Sequence, residues 1–163
     1  MSEFVYIGSE LELFAYAIHW KAYLRSHLEP FLGQRVLEVG AGKGNTTKFL
    51  CSGTRESWVC LEPDAQLGEQ LRSAIRSGEI PPWCQVIVCT LAELPHQQQF
   101  DTIIYIDVLE HIEDDRRELE RAISYLQAGG HLIVVAPAHR WLFTAFDRAI
   151  GHFRKALWTD HSG

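Results

Sequence analysis

Short runs of apolar, largely β-branched residues recur along the chain at Arg35–Val39, Trp58–Leu61, Gln85–Cys89, Thr102–Ile106 and His131–Ala136, each bounded by Gly, Pro, Asp or Glu. Their apolar character is continuous rather than alternating, which predicts strands covered on both faces. Between them the period changes. Helical patterns occupy Thr46–Cys51, Asp64–Ser77 and Asp114–Leu126. In the second, Leu67, Leu71, Ala74 and Ile75 form one stripe, with Asp64 placed to cap the start and Gly78 to stop the end. In the third, Leu119, Ala122, Ile123 and Leu126 form the stripe, Asp114 or Asp115 suits the start, and Gly129-Gly130 is expected to end it. A further helix, about Ser9 to His27, carries Leu11, Phe14, Ile18, Tyr23 and Leu24.

Five strands joined by helical crossovers predict an α/β fold: a Rossmann-like, doubly wound, mainly parallel sheet with helices on both faces. Ligands in such folds bind at the carboxyl ends of the strands, so function is sought there. The size fits one domain, 163 residues of which 47% are hydrophobic and 22% charged, and this excludes an intrinsically disordered chain. Apolar runs of roughly eight residues fall far short of the ~20 that span a bilayer, and the first residues carry no secretory signal pattern, so no membrane association and a cytoplasmic location are expected. A net charge of −6 argues against broad nucleic-acid contact. The four cysteines, Cys51, Cys60, Cys84 and Cys89, form no CxxC pair and are expected as reduced, mostly buried thiols rather than zinc ligands or disulfides.

Candidate chemistry begins where the first strand ends, at Glu38-Val39-Gly40-Ala41-Gly42-Lys43-Gly44-Asn45. Alternating glycines let the backbone turn and approach a ligand closely. A nucleotide P-loop is disfavoured, because Gly44 rather than Ser or Thr follows Lys43 and Leu37 stands where the other glycine belongs. A dinucleotide fingerprint needs G-x-G-x-x-G, and here the third glycine comes one residue early, with Asn45 in its place. Glu62, at the end of the second strand and about twenty residues on, suits a ribose diol in either cofactor class. Glu38 weighs between them, since a carboxylate beside the loop opposes a pyrophosphate and favours a cationic group.

Glu38–Gly44 is similar to the first motif of the class I S-adenosylmethionine-dependent methyltransferases. Leu61-Glu62-Pro63-Asp64 resembles the acidic segment after their second strand, Phe100–Asp115 their fourth-strand motif, and Leu126–Ala136 the helix end and fifth strand. The resemblance implies S-adenosylmethionine as cofactor, with Glu38, Gly40, Ala41, Gly42, Gly44, Asn45, Glu62, Pro63, Thr90, Leu91 and Asp107 around it. It assigns Glu62 to the two ribose hydroxyls and Pro63 to the flank of the adenine. Many relatives carry an aspartate where Thr90 stands; here the Thr90 hydroxyl or the backbone around Leu91 is left to receive the adenine amino group. As an exposed strand-end acid, Glu62 is expected to contribute little to stability.

Methyl transfer is a direct displacement, so alignment supplies most of the catalysis and a base is needed only when the acceptor must lose a proton. Asp107 and His111 are the candidate catalytic residues, His111 as the base and Asp107 chiefly lining the cofactor. Asp107, Glu110 and His111 also resemble the E-x-x-E-H metal pattern of some methyltransferases, with aspartate for the first glutamate; no metal is assigned. Trp141, Phe143 and Phe146 in the segment after Pro137 either wall the acceptor site or pack over the sheet edge, and Trp20 and Tyr23 either close over the cofactor or cap the core. The alternatives to a methyltransferase acting on a small or medium-sized molecule are an NAD-dependent oxidoreductase and a non-catalytic cofactor-binding or interaction module. The resembled fold has seven strands, and five can be placed. A helical cap (1–34), a cofactor-binding core (35–137) and an incomplete acceptor-side segment (138–163) are therefore expected, with the final antiparallel hairpin missing and self-association possible through an exposed fifth-strand edge.

Overall fold

The computed structural model of the chain describes residues 18–96 and 98–136. Five strands, β1 (Arg35–Val39), β2 (Ser57–Leu61), β3 (Cys84–Ile87), β4 (Phe100–Ile106) and β5 (Leu126–Val135), form one sheet in the order β3-β2-β1-β4-β5. Every pairing is parallel. Helices α1 (Ile18–Leu28), α2 (Thr47–Leu50), α3 (Ala65–Arg76) and α4 (Asp115–Ser124) complete the described elements, with short 3-10 turns between them. The doubly wound architecture expected from the strand pattern is the one observed. Chain order steps outward from β1 to β3 and then returns beyond β1 to β4, which makes the carboxyl ends of β1 and β4 the switch point.

Side-chain alternation along each strand feeds two cores. Val36, Trp58, Cys60 and Ile104 pack with Leu50 of α2 and Leu71 and Ala74 of α3 on one face. Leu37, Val39, Val59, Leu61 and Tyr105 pack with Ala122 of α4 and with Tyr125 on the other. The expected caps are present. Asp64 Oδ1 accepts the amides of Gln66 at 2.7 Å and Leu67 at 3.0 Å, and Gly78 stops α3 at φ +81. Asp114 Oδ1 accepts the Arg117 amide at 3.1 Å.

One boundary differs from expectation. Helix α4 ends at Ser124, and Gly129-Gly130 lie inside β5 instead of terminating the helix. Leu126 already pairs with Phe100, and the next partners are Thr102 and His131, so the intervening residues form an irregularity in the ladder. Gly129 takes φ +78 there, and a Cβ on Gly130 would approach the Asp101 carbonyl oxygen to 2.9 Å. The glycines serve the bulge rather than the cap. β3 is also shorter than expected, because the Cys89 amide turns back to the Ile87 carbonyl at 3.2 Å.

The amino edge of the sheet is tied by polar groups. Asp101 Oδ2 accepts the amides of Gln34 at 2.8 Å and Arg35 at 2.9 Å, while the Arg35 guanidinium reaches Asp101 Oδ1 at 3.4 Å and Gln127 Oε1 at 2.6 Å. Thr102 Oγ1 accepts the Gly33 amide and donates to the Phe31 carbonyl. All four cysteines are free thiols; Cys51, Cys60 and Cys84 are buried. The sulfurs of Cys51 and Cys84 lie 3.0 Å apart, and this contact together with burial pushes the Cys51 thiol far above its ordinary pKa. No helix among the described residues is long and apolar enough to cross a membrane. β5 is an outer strand of the sheet among the described residues; the expected acceptor-side segment and any hairpin beyond it lie outside them.

Candidate cofactor-binding site

Beyond Val39 the chain leaves β1 and crosses toward β2, where the amides of Gly40 and Ala41 both donate to the Leu61 carbonyl, at 2.8 and 3.0 Å. Gly40, Gly42 and Gly44 adopt φ +70, +57 and +83, a region that penalises any Cβ. Their surroundings differ. A Cβ on Gly40 would meet Val108 Cγ2 at 2.6 Å, and one on Gly44 would drive into Leu71 and Ile80. At Gly42 nothing lies within 4 Å of that position. Gly40 and Gly44 are therefore glycines for packing, whereas Gly42 borders open space that a ligand can enter.

Glu62 stands beside that space. Its Oε2 accepts the Gly42 amide at 2.7 Å and its Oε1 the Asp64 amide at 2.9 Å. Only 5% of the residue is exposed, and burial raises its pKa against the pull of those two amides. Two of the roughly four acceptor positions of a carboxylate are thus used. The expectation of an exposed acid with little structural role is corrected, because the carboxylate joins the glycine loop to the start of α3. Pro63, next in the chain, is exposed, as a flank for a planar ring must be.

Glu38 occupies a different place from the one its charge suggested. It is 3% exposed and lies on the α2–α3 face of the sheet, where Oε2 accepts from Thr47 Oγ1 at 2.9 Å and Trp58 Nε1 at 2.8 Å. Burial pushes its pKa up to about 7 against these donors. Trp58 and Thr47 were not singled out in the sequence. A tryptophan in an otherwise aliphatic strand, diagonal to an acid on the next strand, was the available signal.

Thr90 is exposed and donates its hydroxyl to Glu93 Oε2 at 2.8 Å, the oxygen that also takes the Thr90 amide. The hydroxyl is left with acceptor capacity, which suits an amino group. Leu91 is 1% exposed with its side chain in the core, so only its backbone is available to a ligand. Ala41 is likewise buried, and Asn45 is half-buried at the loop's end.

At the end of β4, Asp107 adopts φ +54, the only described residue other than glycine with positive φ. Its amide bonds the Val135 carbonyl at 2.8 Å, and the next residue, Val108, packs over Gly40. Positive φ is uncommon outside glycine, and aspartate is among the few other residues that tolerate it. His111 is half-buried at the end of a 3-10 turn, Leu109–His111, and Glu110 is 2% exposed. Among the described residues no three His, Cys, Asp or Glu side chains are placed to hold a metal ion, so Asp107, Glu110 and His111 do not converge on one. The structure thus brings together Gly40, Gly42, Glu62 and the Asp107–Val108 corner, and sets the side chains of Glu38 and Leu91 in the cores. Tyr23 is 56% exposed on α1. The Trp20 side chain, Trp141, Phe143 and Phe146 fall outside the described residues.

Residues 37–132 match the methyltransferase domain family. The chain belongs to that family, and its fold is the one shared by class I S-adenosylmethionine-dependent methyltransferases. It is similar to a tRNA U34 carboxymethyltransferase of Syntrophotalea carbinolica, 30% identical over 114 residues that cover 69% of this chain and 35% of that protein. It is also similar to a ubiquinone biosynthesis O-methyltransferase of Xylella fastidiosa, 30% identical over 106 residues covering 64% and 42%. Among solved structures, an S-adenosylmethionine-dependent methyltransferase assigned in Methanococcus maripaludis superposes with a TM-score of 0.66 at 16% identity, over 77% of this chain and 58% of that one. The magnesium protoporphyrin IX methyltransferase of Synechocystis, with bound S-adenosylmethionine, superposes with a TM-score of 0.62 at 18% identity, over 81% and 65%. The chain spans only 35% and 42% of the length of those two curated relatives.

Proposed function

We propose that the chain binds S-adenosylmethionine at the Gly40–Asn45 loop and transfers its methyl group to a small or medium-sized acceptor. The observation that carries this is the pairing of Gly42, which borders open space, with the buried Glu62 carboxylate beside it. The residues fit such a ligand: glycine backbone for close approach, and a carboxylate with spare acceptor positions for a diol. Bound there, S-adenosylmethionine supplies a methyl group made electrophilic by its sulfonium charge.

Glu62 accepts the ribose hydroxyls, Pro63 flanks the adenine, and the Thr90 hydroxyl or the backbone at Leu91 accepts the adenine amino group. Gly40, Ala41, Gly42 and Gly44 offer backbone to the methionine portion, and Asn45 closes the loop over it. Asp107 biases the site toward a cation. His111 takes a proton when the acceptor must lose one. Family membership speaks against the dinucleotide alternative; the relatives include both O-methyltransferases and tRNA carboxymethyltransferases, and it is the net charge of −6 that supports a small-molecule acceptor. Free, buried cysteines suit a reducing compartment, and we place the enzyme in the cytoplasm.

Titration calorimetry with S-adenosylmethionine, using NAD and ATP as controls, tests the cofactor; a preference for NAD would sink it. A panel of small acceptors with labelled cofactor then tests transfer. Cofactor binding without transfer to any acceptor would leave a binding module instead.

A further inference from the structure

We infer that Thr47 and Trp58 are positioning residues, which act through the carboxyl group of Glu38 to hold the glycine loop in the shape that receives the cofactor. This rests on the proposed cofactor site and names what keeps it assembled. Glu38 sits two residues before the loop, and Thr47 begins the helix that follows it. The hydroxyl of Thr47 donates to Glu38 Oε2 at 2.9 Å, so one hydrogen bond closes the base of the whole Gly40–Thr46 excursion. Trp58, fully buried in β2, donates its indole N–H to the same oxygen at 2.8 Å and fixes which way the carboxyl points.

Other bonds also shape the loop. Gly44 donates to the Ala41 carbonyl at 3.0 Å and Lys48 to the Gly44 carbonyl at 2.9 Å, while its far side is held by Leu61 and Glu62. A buried carboxyl group with two neutral donors is a stable anchor only while both donors remain, since losing one leaves a desolvated acceptor underused. The groups that face Glu38 are Thr47 of α2 and Trp58 and Cys60 of β2, with the Cys51 thiol near enough to feel its charge; none of them is basic. Ionised Glu38 strengthens both donations, and protonated Glu38 weakens them. Burial penalises the ion more than these donors favour it, so loop order, and with it cofactor affinity, falls as pH rises and the group loses its proton. Because burial sets that loss near neutrality, the change falls within an accessible range.

The test uses the conservative variants Trp58→Phe and Thr47→Val, each of which deletes one donor and keeps most of the volume. Affinity for S-adenosylhomocysteine is measured by calorimetry from pH 5.5 to 8.5, alongside thermal midpoints and amide exchange of Gly44 and Lys48 in the free protein. Each variant is expected to lose about fivefold or more in affinity, to exchange those two amides faster, and to shift the midpoint of the pH profile upward. Glu38→Gln should flatten the profile. A purely structural role predicts lower thermal midpoints with unchanged affinity, exchange and pH profile, and that result overturns the inference. If the wild-type chain binds no S-adenosylhomocysteine at any pH, the cofactor assignment itself fails, and this inference fails with it; wild-type binding that both variants retain overturns the inference alone.

Discussion

The Gly42 amide donates to Oε2 of Glu62 at 2.7 Å, so the glycine of the β1 loop that faces open space is held by the acid at the end of the neighbouring strand. Ligand recognition and loop support are therefore carried by the same carboxylate. Glu62→Ala should weaken S-adenosylhomocysteine binding at least tenfold, and it should also lower stability, because two amides lose their acceptor at a typical cost of about 1–3 kcal/mol. Calorimetry and urea denaturation measure the two losses separately. A variant as stable as wild type would show the Gly42 and Asp64 bonds to be dispensable.

Gly42→Ala and Gly44→Ala separate binding from folding. Both force a Cβ onto a backbone with positive φ, costing about 1–2 kcal/mol. Only at Gly44 does that Cβ also meet packed side chains, Ile80 Cδ1 at 2.7 Å among them. Gly44→Ala should therefore lose about 1–3 kcal/mol by overpacking on top of the backbone strain, whereas Gly42→Ala should stay folded and lose ligand affinity. Thermal unfolding with and without S-adenosylhomocysteine distinguishes them: the ligand should raise the midpoint of wild type and not that of Gly42→Ala.

Glu38 gives stability a pH dependence of definite sign. Its folded pKa, about 7, lies above the unfolded value of 4.5, so its contribution is fully present below pH 4.5 and is lost as pH rises to about 7. The span corresponds to a loss on the order of 3 kcal/mol between those limits, with a plateau above them. Glu38→Gln removes this component, and the difference between wild-type and variant unfolding free energies across pH 4 to 8 isolates it from other groups. A flat difference would mean that the carboxyl ionises normally in the fold.

Asp107 carries its strain in the backbone at φ +54. Asn, which tolerates this conformation, should replace it within about 1 kcal/mol, while the β-branched Val should cost about 1–3 kcal/mol. Urea midpoints report the difference. Equal stability of Asp107→Asn and Asp107→Val would show that the corner relaxes.

The sheet was legible because each strand announced itself by an unbroken apolar run and each of α3 and α4 by a stripe and a capping aspartate. The parallel arrangement followed from helical patterns lying between strands of continuous apolar character. Gly129-Gly130 misled because a glycine pair reads equally as a helix stop or a bulge, and only the pairing of Leu126 with Phe100 decides. In the site, Gly42 and Glu62 were legible from spacing, but the direction of Glu38 was not. A strand alternates faces residue by residue, and position 38 shares its face with Val36, toward α2 and α3, where Trp58 awaits it. Charge alone carries no information about that parity.

The polar clamp at the other end of β1 has a mechanical consequence. Asp101 grips the amides of Gln34 and Arg35, and Arg35 spans from Asp101 to Gln127, so the first residue of the strand is fixed to both β4 and β5. Five residues later the same strand gives way to glycine. β1 is thus braced from end to end, by side chains at Arg35 and by β2 and β4 along Val36–Val39, and it presents the glycine loop from a strand held on both sides.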